Sequence, residues 1–157
     1  MNPDREEFRS IIERAVASEI VSRRFYEALA GEVPEGNMRQ RVWDLAREEA
    51  YHETMLLEAF PGIADMERVL ASLGGSPVAD GEKSGMTLAS ILTLAMNRER
   101  DSEESYKAMA EEAREHDGYL LLLRLSEYER QHKTKLQREL EILDPALGAV
   151  GQYGRFL

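Results

Sequence analysis

Four glutamates and two histidines carry the pattern in this chain that could do chemistry. Glu19 and Glu99 each precede a tyrosine, Tyr26 and Tyr106, by seven residues, and Glu49 and Glu129 each open a Glu-x-x-His pair completed by His52 and His132. Seven residues is two helical turns on one face, and a spacing of three sets a carboxylate beside an imidazole, the arrangement that grips one ion and reaches a second. The set occurs twice: 80 residues separate Glu19 from Glu99, Tyr26 from Tyr106, Glu49 from Glu129 and His52 from His132. Duplication of a helix hairpin is the simplest account. Carboxylate and imidazole without thiolate suit iron or manganese, with zinc also admissible.

Amphipathic helices must position these residues. The first seam reads Phe8, Ile12, Ala15, Glu19, Ser22, Tyr26, Leu29; the second Met38, Val42, Leu45, Glu49, His52, Leu56. The third reads Leu88, Leu92, Ala95, Glu99, Ser102, Tyr106, Met109, and the fourth Leu122, Leu125, Glu129, His132, Leu136. Each seam is apolar at both ends and polar in the middle, so four glutamates and two histidines point at one core. Asn2 and Pro3 start a helix expected over 3–30 with Gly31 as its stop; a second is expected over 38–60, ended by Pro61 and Gly62. The glycine-rich stretch 61–86 reads as a long connection holding a short helix, Ile63 to Leu73. Helices over 87–115 and 119–143 follow, broken at His116, Asp117 and Gly118 and ended before Asp144 and Pro145. Two hairpins joined by a long crossover describe an all-α, ferritin-like four-helix bundle over residues 1–145, with a tail at 146–157.

Four bare carboxylates in a bundle core would each cost several kcal/mol to desolvate. No Lys or Arg occupies the central seam positions, and two divalent ions would balance the four negative charges. The whole chain of 157 residues has a net charge of -10, which argues against a nucleic-acid partner. It has no cysteine, which excludes disulfides and thiolate-held metal. Charge near the N-terminus and the lack of a long apolar run point to a cytoplasmic protein with no membrane span.

The segments Ser18–Ala30, Glu48–His52, Glu99–Tyr106 and Glu127–His132 resemble those of rubrerythrin-type ferritin-like di-iron proteins, with the likeness covering roughly residues 8–140. The resemblance implies that Glu49 and Glu129 bridge two iron ions, that Glu19 and His52 complete one, and that Glu99 and His132 complete the other. The chain departs from full-length rubrerythrin in having no cysteine-ligated rubredoxin domain. It also has Ser102 where the family's peroxidases carry a further glutamate; Glu103 stands about 100° further round the helix.

Tyr26 and Tyr106 either hydrogen-bond the ligating carboxylates or simply fill the core. Glu48, Glu103, Glu104 and Glu127 read as solvated face residues, His116 as an exposed loop residue, and Met38, Met55, Met96 and Met109 as packing. Four consecutive leucines, Leu120 to Leu123, exceed what one seam needs and suggest a homodimer. The resemblance implies a non-haem di-iron oxidoreductase acting on hydrogen peroxide or dioxygen, with the four glutamates in the catalytic centre and electrons from a separate donor protein. Its setting would be oxidative stress or iron homeostasis. The alternative is a non-catalytic iron-handling protein.

Overall fold

A computed structural model describes residues 3–74 and 87–143. Asn2, the segment 75–86, Asp144, Pro145 and the tail lie outside the described residues.

Helix α1 spans Pro3–Glu32, with Asp4 and Glu6 in its first turn, where negative charge complements the helix dipole. It runs through Gly31 rather than stopping there, because Val33 beyond it is buried in the same apolar cluster as Leu29 and Ala30. Helix α2 spans Asn37–Ala59 and is entered from Gly36, whose φ of 141° is open to glycine and strained for other residues. The short helix α3 covers only Met66–Ala71, starting where the Asp65 side chain accepts from the Arg68 N–H at 3.3 Å. Ile63 and Leu73, expected inside it, pack on the core from its flanks.

Helix α4, Leu88–Glu112, starts at Thr87, whose hydroxyl accepts from the Ser90 N–H at 3.1 Å. It ends earlier than the expected residue 115 because Ala113 caps it and a tight turn follows. Gly118 closes that turn under Phe8: a Cβ there would stand 2.8 Å from Phe8 Cε2. Helix α5 spans Tyr119–Leu143, the expected range.

Helices α1 and α2 form one packed hairpin and α4 and α5 the other, with α1 against α4 and α2 against α5. This is the all-α, ferritin-like bundle expected from the seams. Glu13 on α1, nearly buried, holds α3 in place by accepting from Arg68 Nε at 2.8 Å and from the Asp65 N–H at 3.0 Å. Arg9 Nε adds a bond to the Ile63 carbonyl at 3.0 Å. No described helix is long and apolar enough to cross a membrane.

Two apolar clusters fill the bundle, one built on Phe25, Leu29, Val42, Leu92 and Leu136, the other on Ile12, Val16, Leu56, Met109 and Leu122. On every long helix the central polar positions fall between the residues that feed the two clusters. Each fully buried aliphatic side chain contributes about 1.5–3 kcal/mol, so the clusters can hold polar residues in the layer between them. Leu122 is fully buried, while Leu120 and Leu123 face outward.

Candidate metal centre

All four long helices place buried polar side chains in this central layer. Glu19, Glu49, Glu99 and Glu129 are each about 1% exposed, His52 4% and His132 3%. They form two groups, Glu19, Glu49, His52 and Glu129, and Glu49, Glu99, Glu129 and His132, with the candidate donor atoms in each group within 4.8 Å of one another. Glu49 and Glu129 belong to both.

His52 Nδ1 lies 3.6 Å from Glu19 Oε2, 3.4 Å from Glu49 Oε2 and 3.5 Å from Glu129 Oε1. His132 Nδ1 lies 3.7 Å from Glu49 Oε1, 3.5 Å from Glu99 Oε2 and 3.5 Å from Glu129 Oε2. These separations are too long for good hydrogen bonds. They stand slightly above the edges of a coordination polyhedron, where donors about 2.1 Å from one ion lie roughly 3.0–3.4 Å apart, so a small inward shift of these side chains would let them grip an ion.

Glu19 Oε2, both oxygens of Glu49, Glu99 Oε2, Glu129 Oε2 and the Nδ1 atoms of His52 and His132 are buried without a hydrogen-bond partner. Buried polar atoms are rarely left so, and their convergence fits a pair of cations. The residues present therefore fit a di-metal site.

Two of the remaining carboxylate oxygens are held from behind. Tyr26 donates its hydroxyl to Glu99 Oε1, and Tyr106 donates to Glu19 Oε1, so each half of the repeat supports a glutamate of the other. Burial, then the nearby glutamates, raises both phenols well above their ordinary pKa, so they remain donors.

Without cations, the crowded layer retains protons. Burial, with Glu19 beside it, pushes Glu49 well up, and burial with Glu129 brings Glu99 up to about 8. Burial alone raises Glu129 too, but the protonated Glu99, His132 and His52 that face it leave it below the usual range. Burial opposes charge on His52, yet Glu129, Glu19 and Glu49 override it and raise its pKa to about 12. His132 shifts upward for the same kind of reason.

Two contacts were not read from the sequence. Glu48, expected to be solvated, is half-buried and meets His132 Nε2 through its Oε2. That hydrogen bond lowers its pKa despite partial burial. Tyr128 stacks on His52, with centroids 5.2 Å apart and planes 11° from parallel. The departure of Tyr128 from Glu48, its counterpart 80 residues earlier, is the signal in the sequence that the two ends of the layer differ.

Glu103 is also a correction, being 5% exposed rather than solvated, because Lys133 of α5 and Lys107 of α4 cover it at 3.2 and 3.4 Å. Glu104 and Glu127 are exposed. Ser102 is buried. His116 is partly buried rather than free, stacked on Phe8 at 5.2 Å. Met96 and Met109 are buried and Met38 packs on the core.

A family model described as rubrerythrin matches residues 10–140. No protein with a curated description matches. A solved structure of a hypothetical protein from Pyrococcus furiosus is similar at 25% identity and a TM-score of 0.65, over 86% of this chain and 89% of that one.

Proposed function

Because this chain belongs to the rubrerythrin family, we propose that its buried Glu and His layer holds two iron ions and serves a non-haem oxidoreductase acting on hydrogen peroxide or dioxygen. The observation that carries the reading is the convergence of seven buried donor atoms that lack hydrogen-bond partners. In this reading Glu49 and Glu129, which belong to both donor groups, would be shared by the two ions, Glu19 and His52 would complete one position, and Glu99 and His132 the other. Bound iron would supply the electrons that reduce the oxidant.

The chain's own residues hold and shield the centre. Tyr26 and Tyr106 each tether one oxygen of Glu99 and Glu19, leaving Oε2 directed at the layer. The two apolar clusters keep bulk water from the centre, so charge there is poorly screened and the carboxylates act strongly on whatever they face. In this reading a separate donor protein supplies the electrons that reset the centre. The reading includes a homodimer, supported by the exposed Leu120 and Leu123, which sedimentation of the purified protein tests.

The decisive experiment is elemental analysis of anaerobically iron-loaded protein, followed by absorption changes on adding peroxide and then air. About two irons per chain, with a near-ultraviolet band growing on repeated peroxide additions in the presence of a reductant, is the expected result. A faster response to air identifies an oxidase or ferroxidase. A single round that no reductant resets identifies iron handling without turnover. Less than one metal per chain refutes the di-iron reading.

A further inference from the structure

The repeat is broken next to the histidines. At position 48 stands a glutamate whose carboxylate meets His132 Nε2; 80 residues later stands Tyr128, whose ring lies flat against His52. The contacts to the glutamates, by contrast, are closely paired: Tyr26 on Glu99 mirrors Tyr106 on Glu19, and each Nδ1 faces three glutamates at similar distances. A carboxylate on the far nitrogen of a ligating imidazole fixes the tautomer that leaves Nδ1 free and raises its basicity, whereas a stacked phenol ring does neither. Glu48 also lines a cleft of about 260 Å³ whose wall includes Lys135.

Resting on the di-metal reading, we infer that the two metal positions are unequal, and that Glu48 is a positioning residue making the Glu99, Glu129 and His132 position the tighter one. Divalent metal enters that position first, and the His52 position fills second.

The test is titration of the metal-free, full-length protein with cobalt(II), followed by calorimetry and visible absorption. Wild type should bind two equivalents in two separable steps. Glu48→Gln should weaken the first step ten- to a hundredfold and leave the second in place, with Glu48→Asp recovering part of the loss. A hyperfine-shifted imidazole N–H signal should appear with the first equivalent, exchange slowly in wild type and exchange fast in Glu48→Gln, a change that loss of packing alone would not produce. Because Glu48 borders solvent, the variant should keep the wild-type circular dichroism. Two indistinguishable steps in wild type, or an unchanged first step in Glu48→Gln, would overturn the inference while leaving the di-metal reading intact. Uptake of less than one cobalt would overturn both.

Discussion

Lys133 closes on Glu103 at 3.2 Å, and the pair repeats Arg23 with Glu53 with the charges exchanged. Positions 23 and 103 are separated by the repeat interval, as are 53 and 133. The pairs are not equivalent in strength: Arg23 and Glu53 stand 3.8 Å apart, while the Glu103 side chain is only 7% exposed. Lys133→Met should therefore cost about 1–2 kcal/mol, as it strips a partner from a buried carboxylate and leaves only Lys107. Arg23→Met should cost about 0–1 kcal/mol, as expected of a long, partly exposed pair. Urea unfolding of both variants checks this, and equal losses would contradict it.

The crossed tyrosines predict effects that separate by position. Tyr26→Phe removes the donor to Glu99 Oε1, and Tyr106→Phe the donor to Glu19 Oε1. Each leaves a buried carboxylate oxygen without its partner, at about 1–3 kcal/mol of stability. Metal affinity should fall roughly ten- to a hundredfold, Tyr26→Phe acting on the position of Glu99 and His132 and Tyr106→Phe on that of Glu19 and His52. Thermal unfolding and metal titration of the two variants measure both effects. Unchanged affinity in both would reduce the phenols to core filling.

Much of this layer was legible because a helix repeats its face every 3.6 residues, so Glu19, Glu49, Glu99 and Glu129 stood out as polar intrusions in apolar seams. The contacts that escaped run between helices. Glu48 lies beside a seam of α2, and only the approach of α5 brings His132 Nε2 to it. Glu103 looks solvated on α4 alone and is buried because Lys133 arrives from its neighbour. Glu13 fell on no predicted site, since its partner Arg68 is 55 residues away in a connection whose path local pattern does not encode.

The metal-free protein should lose stability as pH rises. Glu99 goes from an ordinary carboxyl value near 4.5 to about 8 in the fold, and His52 from 6.5 to about 12. Both groups thus bind protons more tightly folded than unfolded. Above the unfolded values the native state holds more protons, so unfolding becomes easier with each step up in pH, from about 4.5 through 8 for Glu99 and onward for His52. Metal binding displaces these protons, so affinity should rise over the same range and the loaded protein should show a much flatter profile. Denaturant midpoints of both forms between pH 5 and 9 test the sign. A metal-free midpoint that climbs with pH would refute it.

Loss of a shared donor should differ in kind from loss of an unshared one. Glu49 belongs to both donor groups, whereas His52 belongs to one. Glu49→Ala should therefore abolish tight binding of both ions, while His52→Ala should retain about one per chain. Without Glu49 the layer loses a carboxyl that burial and Glu19 force to keep its proton, so the metal-free Glu49→Ala protein should remain helical and be no less stable than wild type at pH 8. Wild type at a thousandfold excess of metal over its dissociation constant gains about 4 kcal/mol per site from binding. Glu49→Ala should show almost none of that gain and His52→Ala about half. Metal content per chain and the metal-dependent rise in melting temperature measure the two effects independently, and retention of two tightly bound ions by Glu49→Ala would show that Glu49 is not shared between the positions.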